Sequence, residues 1–281
     1  MSRILILDNI APEGIALLEA ADDVEHEIRT GLAGEELRLA LAECDGAICR
    51  SGVTIADEQL SGNRQLKAIV RAGVGTDNID KAAATRAGIV VMNTPAGNTF
   101  STAEHTFTLM LAMSRNVAPA YQDLLDGSWD RASHMGVQLA NKTLGIVGLG
   151  RIGQEVASRA IAFQMKIIGM DPFLSQEQAE KLGVQLVSTL DQLLPHVDYL
   201  TVHTPLTDQT RNLISDDEVN KLKPGARLIN CARGGIFDED ALVKGLESGQ
   251  LSGVALDVFN QEPCTDSQLF GMPGVICTPH L

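Results

Sequence analysis

Short apolar runs alternate, over the first ninety-five residues, with stretches whose apolar positions recur three and four apart. The runs at 3–8, 24–28, 46–50, 66–71 and 89–93 predict strands. Between them, 11–20, 35–43, 56–60 and 78–87 predict helices by periodicity or by helix-forming composition. Strands and helices so interleaved predict a parallel sheet wound on both faces, because parallel neighbours must be joined by a crossover. The sequence Thr94-Pro95-Ala96-Gly97 interrupts the alternation, and 101–113 is then a long, largely apolar helix. A second alternating run opens at Lys142, with later strands predicted at 166–170, 197–201, 227–231, 253–257 and 275–278. The fold class is therefore α/β, two doubly wound parallel-sheet domains joined by a helix, with 1–96 as the first domain and 97–281 as the second.

Residues 118–140 fit neither sheet and hold Trp129, the single tryptophan. One reading is a surface helix and loop with a packed aromatic. The other is an arm that reaches a second subunit, since large aromatics are enriched at interfaces.

Within the second run, Leu144, Ile146 and Val147 predict a buried central strand, followed by Gly148, Gly150 and Gly153 in the order G-x-G-x-x-G. Gly148 permits a tight turn, Gly150 lets backbone approach a pyrophosphate, and Gly153 seats the following helix close to the strand with its first amides facing the anion. Glycine-rich turns also occur for packing alone, and S-adenosylmethionine sites use similar loops. Here strand, helix, second strand and a terminal acid, Asp171, stand in register, which is the dinucleotide arrangement with the carboxylate on the adenosine ribose. That carboxylate would repel a 2′-phosphate, and residues 172–175 offer no Arg to hold one, so NAD is expected over NADP.

Composition narrows the partners. With 44% hydrophobic and 21% charged residues, the chain has the balance of a water-soluble globular protein. The apolar run at the N-terminus is too short for a signal segment and is broken by Asp8, so a cytoplasmic protein is expected. A formal charge of −14 argues against nucleic acid or an anionic membrane as partner, because phosphate binding rests on clustered Lys and Arg. The same charge requires that any anionic ligand meet a locally positive cleft. Five cysteines, odd in number and without C-x-x-C spacing, suggest neither a disulfide framework nor a metal site.

Three late residues could carry chemistry. His280 follows the strand at 275–278, Glu262 follows the strand at 253–257, and Arg233 follows the strand at 227–231 and precedes Gly234-Gly235. Each leaves the sheet on the edge that holds the glycine turn, where ligands of α/β sheets bind. Moving a hydride between a nicotinamide and a secondary alcohol needs a base near neutral pH, a carboxylate to orient it, and a cation to grip a substrate carboxylate. Taken singly, an Arg or Glu after a strand is usually a solvated loop residue and a lone His usually packs or caps something; their shared edge favours the chemical reading. Among the other histidines, His26 and His196 read as exposed, His134 as part of the arm, His105 as a packed or interface residue, and His203 as a lining of the cofactor cleft.

Read together, Gly148 to Gly153, Asp171, Val202-His-Thr-Pro205, Asn230-Cys-Ala-Arg-Gly-Gly235, Ala255-Leu-Asp-Val-Phe259 and Thr278-Pro-His280 resemble the D-isomer-specific 2-hydroxyacid dehydrogenase family. The likeness extends to 71–80, 93–98, 129–131 and 135–136. It implies a flavodoxin-like substrate domain and a Rossmann NAD-binding domain with a cleft between them. It implies His280 as the acid/base, Glu262 as its partner and Arg233 as the grip on substrate. Gly148, Gly150, Arg151, Ile152 and Gly153 match the pyrophosphate turn, Asp171 the ribose acid, Thr204, Cys231 and Ala232 the cofactor wall, and Asp257 a position near the nicotinamide carboxamide. Gly73, Val74 and Gly75 match the loop that receives the substrate carboxylate, and Arg50 and Arg71 match basic residues near a substrate phosphate. No metal is implied.

The implied activity is NAD-dependent oxidation of a small anionic 2-hydroxy acid, D-3-phosphoglycerate foremost, at the entry to serine synthesis, in a homodimer or dimer-based oligomer. Glyoxylate or hydroxypyruvate reduction on the same scaffold is the alternative. A non-catalytic NAD-sensing corepressor is the alternative of another class. Family chains carry a return helix beyond the histidine that packs on the first domain, and many phosphoglycerate-oxidising members carry a serine-binding domain. Neither is expected within residues 1–281, so no feedback site is inferred.

Overall fold

The computed structural model describes all residues, Met1–Leu281, and the chain divides into two compact units, Met1–Asn98 and Thr99–Leu281. The division falls just beyond the expected end at 96. The turn closed by the Gly97 amide on the Thr94 carbonyl (3.1 Å) comes first, and the helix Thr99–Ser114 begins only after it.

In the first unit, β1 (Ser2–Ile6), β2 (Val24–Ile28), β3 (Gly46–Cys49), β4 (Ala68–Arg71) and β5 (Val90–Asn93) form one parallel sheet in the order 2-1-3-4-5. This is the flavodoxin-like order. The edge strands β2 and β5 contain no buried residue, whereas β1 and β3 supply Leu5, Ile6, Ala47 and Cys49 to the core. The register sets Cys49 opposite Arg71, so Arg50 and Arg71 leave adjacent central strands at the same carboxyl edge.

The second unit holds a seven-stranded parallel sheet. Its strands are β6 (Thr143–Val147), β7 (Lys166–Met170), β8 (Gln185–Val187), β9 (Tyr199–Val202), β10 (Ala226–Asn230), β11 (Leu251–Leu256) and β12 (Val275–Cys277), in the order 12-11-10-9-6-7-8. The chain starts at the middle with β6, runs out to β8, and returns to β9 on the other side of β6. The switch point therefore lies between β6 and β9, where a doubly wound sheet opens its ligand crevice. Alternate residues feed two cores. Leu200, Leu228 and Val254 face one, while Tyr199, Ile229 and Ala255 face the other. Covering both faces explains why these strands read as continuous apolar runs, and each fully buried Leu or Ile contributes about 1.5–3 kcal/mol. Strand β8, at the edge with no buried residue, has no apolar run and escaped sequence reading.

The helix Thr99–Ser114 lies on this second sheet. Its last residue accepts a hydrogen bond from the Tyr199 hydroxyl at 2.9 Å, since the Ser114 hydroxyl donates its own hydrogen to the Met110 carbonyl. Gly253 leaves room for Met113, whose sulfur would stand 2.7 Å from a Cβ there. No helix is long and apolar enough to cross a membrane.

Candidate active site

The turn after β6 is shaped by contacts that only glycine permits at two of its three positions. Gly148 has φ of +91°, and a Cβ on it would meet the His203 carbonyl oxygen at 2.6 Å. A Cβ on Gly153 would overlap the Gly148 carbonyl oxygen. Gly150 is different: its φ of −69° suits any residue, and beyond its two chain neighbours no atom comes within 4 Å of the place a Cβ would take. Nothing in the protein itself calls for glycine there, so the open space fits an external group. The helix Arg151–Ala162 begins at this point with no side-chain cap, leaving its first amides and the positive end of its dipole available to an anion. Beside Gly148, Thr204 Oγ1 is buried without a hydrogen-bond partner, a polar group that a bound dinucleotide would satisfy. Arg151 is exposed at the helix start, and Ile152 is half-buried against the core.

Asp171 follows β7 and is half-buried. Its Oδ2 accepts the Leu149 amide at 2.7 Å and its Oδ1 the Phe173 amide at 2.8 Å. The carboxylate thus braces the middle of the glycine turn, a duty that its position in the motif did not reveal, and keeps lone pairs for further donors. Burial pushes the Cys231 thiol up to about 12, so it stands on the expected cofactor wall as a neutral, apolar group. Ala232 beside it is half-buried. His203 follows β9, and burial lowers its imidazole to about 4, leaving it neutral at physiological pH.

Around the ends of β10, β11 and β12 the structure brings together two of the three expected catalytic side chains by direct contact. His280 Nδ1 lies 2.7 Å from Glu262 Oε2. A carboxylate can only accept, so Nδ1 carries the hydrogen and Nε2 is the nitrogen left for a substrate. Glu262 Oε1 accepts the Phe259 amide at 3.0 Å, which ties the carboxylate to the end of β11. The His280 side chain remains 47% exposed, and its backbone adopts φ of +55°.

Arg233 sits in a loop built by Asn230. The buried Asn230 side chain accepts the Ala232 amide at 2.9 Å and donates to the Arg233 carbonyl at 2.8 Å, while Arg233 Nη1 donates to the Ala232 carbonyl at 2.6 Å. Gly234 is required because a Cβ would overlap the Phe259 carbonyl oxygen. Asn230 was not singled out from sequence. The signal was there, an Asn ending an apolar strand four residues before Gly-Gly, but its function as a turn template depends on three-dimensional closure.

Asp257 is 3% exposed, and its carboxylate oxygen Oδ1 receives Thr278 Oγ1 at 2.6 Å and the Leu281 amide at 3.0 Å. His105 Nε2 lies 3.2 Å from the same oxygen. His105 was read as a packed or interface residue. It is packed, as a half-buried member of this network, because the helix Thr99–Ser114 turns that face onto β11 and β12.

In the first unit, the Arg71 guanidinium lies against Gly73, where a Cβ would overlap it. The loop from Gly73 to Gly75 is held at two of its carbonyls: Gly73 accepts from the Thr94 amide at 3.0 Å and Val74 from Asn93 Nδ2 at 2.7 Å. Arg50 is exposed, with its main chain fixed between Asp8, which accepts its amide at 2.5 Å, and Asn78, which donates to its carbonyl at 2.7 Å.

The segment 118–140 does not pack its aromatic. Trp129 is 80% exposed. The helix Val117–Leu125 buries none of its residues and exposes Val117, Tyr121, Leu124 and Leu125, one apolar stripe at helical spacing. A hollow of about 780 Å³ opens beside Trp129, lined also by Arg115, His134 and Met135, and is separate from the glycine turn. His134 Nε2 is 2.6 Å from Asp123, joining the loop to the helix.

Comparison with known proteins gives this geometry a context. Residues 107–281 match the family described as D-isomer specific 2-hydroxyacid dehydrogenase, NAD binding domain. The whole chain is 45% identical over 281 residues to a D-3-phosphoglycerate dehydrogenase of Synechocystis sp., of which it covers 50%. The chain spans about half the length of the curated relatives it matches. Among solved structures, the TT0316 protein from Thermus thermophilus superposes with a TM-score of 0.89 at 34% identity, covering 99% of this chain and 89% of that one. A D-lactate dehydrogenase from Aquifex aeolicus, complexed with NAD and lactic acid, superposes with a TM-score of 0.84 at 28% identity, covering 99% and 88%.

Proposed function

The chain belongs to the D-isomer specific 2-hydroxyacid dehydrogenase family, and on that premise we propose that it oxidises D-3-phosphoglycerate to 3-phosphohydroxypyruvate with NAD. The 2.7 Å contact between His280 Nδ1 and Glu262 Oε2 carries the proposal, since it presents Nε2 as a base while the carboxylate stabilises the imidazolium that forms. NAD, when bound, supplies the acceptor for the substrate hydride. The residues that would hold it are the Gly148 to Gly153 turn with Arg151 and Ile152, Asp171 at the ribose, the wall of Thr204, Cys231 and Ala232, and Asp257 at the carboxamide.

His280 Nε2 takes the hydroxyl proton. Arg233 holds the substrate carboxylate with two charge-assisted hydrogen bonds and polarises the reacting carbonyl in the reverse direction. The family resemblance assigns the Gly73 to Gly75 backbone to substrate-carboxylate binding. Arg50 and Arg71, leaving neighbouring strands, take the phosphate and give an acidic protein of formal charge −14 the local positive field that an anionic substrate needs. The test is steady-state turnover with D-3-phosphoglycerate, D-glycerate, D-lactate, hydroxypyruvate and glyoxylate. D-3-phosphoglycerate is expected to have the highest kcat/KM. A preference for hydroxypyruvate or glyoxylate would replace this reading by a reductase, and NAD binding without turnover of any of them would replace it by a sensor.

A second copy of the chain is the partner that fits the arm, and the compartment that fits this chemistry is the cytoplasm. The outward stripe from Val117 to Leu125, together with Trp129 and Met135, lies beside a hollow lined by the same segment. Knobs and hollow on one surface suit the self-complementary contact of a twofold dimer. Light scattering should give a dimer or a multiple of it, and Trp129→Ser with Leu124→Ser should shift the mass toward the monomer; an unmutated protein that stays monomeric at micromolar concentration rules the dimer out.

A further inference from the structure

A carboxylate as buried as Asp257 needs donors, and the two that reach it, together with the nearby His105 ring nitrogen, all meet one oxygen. Oδ1 accepts from Thr278 Oγ1 at 2.6 Å and from the Leu281 amide at 3.0 Å, with His105 Nε2 at 3.2 Å. His105 Nε2 also lies 3.0 Å from Thr278 Oγ1. The threonine hydroxyl has a single proton, already given to Asp257, so toward His105 its oxygen can only accept. Nε2 therefore carries the ring hydrogen and donates it to Thr278 Oγ1, which in turn donates to Asp257 Oδ1, while the ring nitrogen stands 3.2 Å from that carboxylate oxygen. All three of these contacts leave Oδ2 of Asp257 for a further donor.

We propose that His105 is a positioning residue for the nicotinamide end of the cofactor site. Anchored on the helix Thr99–Ser114, it locks the Asp257 carboxylate by one oxygen so that the other is presented to the carboxamide. The same network pins Thr278 and Leu281 on either side of His280, whose backbone φ of +55° is uncommon for a residue with a side chain and is supported by its surroundings. One helix residue thus sets the orientation of both the carboxamide acceptor and the acid/base. The inference rests on the reading of this edge as an NAD site.

The test compares NAD with ADP-ribose, which lacks the nicotinamide, by isothermal titration calorimetry. His105→Leu removes the donor at similar bulk, and His105→Gln keeps an amide donor in reach. The Leu variant is expected to bind NAD about tenfold more weakly, the loss of one partly buried hydrogen bond, and ADP-ribose with less than about a twofold change; the Gln variant should keep most of the NAD affinity. In turnover, His105→Leu should lower kcat far more than it raises KM for the hydroxy acid. Thr278→Val and Thr278→Ser repeat the comparison without touching the helix, the first expected to behave as His105→Leu and the second as the unmutated protein. Equal weakening of both ligands in His105→Leu and Thr278→Val would show a purely structural role, and undiminished NAD affinity would show none; either overturns the inference. An unmutated protein that binds neither ligand removes the cofactor-site reading itself, and the inference with it.

Discussion

Gly153 and Gly148 are locked together: a Cβ on the first would overlap the carbonyl oxygen of the second, which is how the helix Arg151–Ala162 comes to rest on the turn that precedes it. At Gly150, between them, a Cβ would meet nothing beyond its own chain neighbours. Gly153→Ala should therefore lower stability by about 1–3 kcal/mol, the usual cost of overpacking, and weaken NAD with it. Gly150→Ala should leave the thermal midpoint nearly unchanged and still weaken NAD severely. Calorimetric melting and NAD titration separate the two, and a stable Gly150→Ala with full NAD affinity would show that the open space does not receive the pyrophosphate.

Asp171 is expected to have two effects when removed. Asp171→Ala should weaken NAD and relax discrimination against NADP, because the carboxylate that repels a 2′-phosphate is gone. It should also lower stability by about 1–3 kcal/mol, since the Leu149 and Phe173 amides lose their acceptor. Equal affinity of the unmutated protein for NAD and NADP would refute the ribose assignment.

The Glu262–His280 pair predicts an ordered loss of turnover. His280→Ala should lower kcat by about 10²–10⁴-fold with NAD affinity almost unchanged. Glu262→Gln should cost less, because a neutral amide still orients the Nδ1 hydrogen without stabilising the imidazolium. Full activity in His280→Ala would sink the assignment.

Arg50 and Arg71 separate a phosphate from a carboxylate role. A charge-assisted contact is worth about 1.5–3 kcal/mol, or about ten- to a hundredfold in affinity. Replacing either Arg by Ala should raise KM for phosphoglycerate by about that factor while D-glycerate is scarcely affected. Equal losses on both substrates would mean that the arginines grip the carboxylate or support the fold.

His203 predicts how stability responds to acid. Burial lowers its folded pKa from 6.5 to about 4. Between those values the unfolded chain binds the proton and the folded chain does not, so stability falls as pH drops through this window and is constant with respect to this group above it. The contribution is about 3 kcal/mol at most, at about 1.4 kcal/mol per pH unit. Urea unfolding at pH 7 and pH 5 should show a smaller acid loss in His203→Gln than in the unmutated protein; identical losses would mean that the ring is protonated in the folded state.

The alternation of short apolar runs with helical periodicity, and the glycine turn after β6, were readable residue by residue because they record local requirements: what fits a strand covered on both faces, and what a tight turn permits. Edge strand β8 carries no apolar run and left no such record. Arg233, Glu262 and His280 could be placed at one edge from sequence, since each follows a strand of a parallel sheet and parallel strands end on the same side. That Glu262 meets Nδ1 of His280 at 2.7 Å could not, because it depends on how the chain between Phe259 and Pro279 closes on itself.

His105 marks the boundary most sharply. Sequence determined that it lies on a long apolar helix and that Asp257 and Thr278 end strands far along the chain. Only the tertiary structure decided that the helix face bearing His105 lands on those two strand ends, with the Thr278 hydroxyl between them. The reason is physical. Periodicity reports which face of an element is buried, but the partner of a buried polar group is chosen by long-range packing, here the seating of the helix Thr99–Ser114 on β10, β11 and β12. Trp129 shows the same limit from the other side. A lone aromatic in an irregular segment fits a packed core and an outward arm equally well, and its 80% exposure emerges only when the surrounding chain has been placed and has left it uncovered.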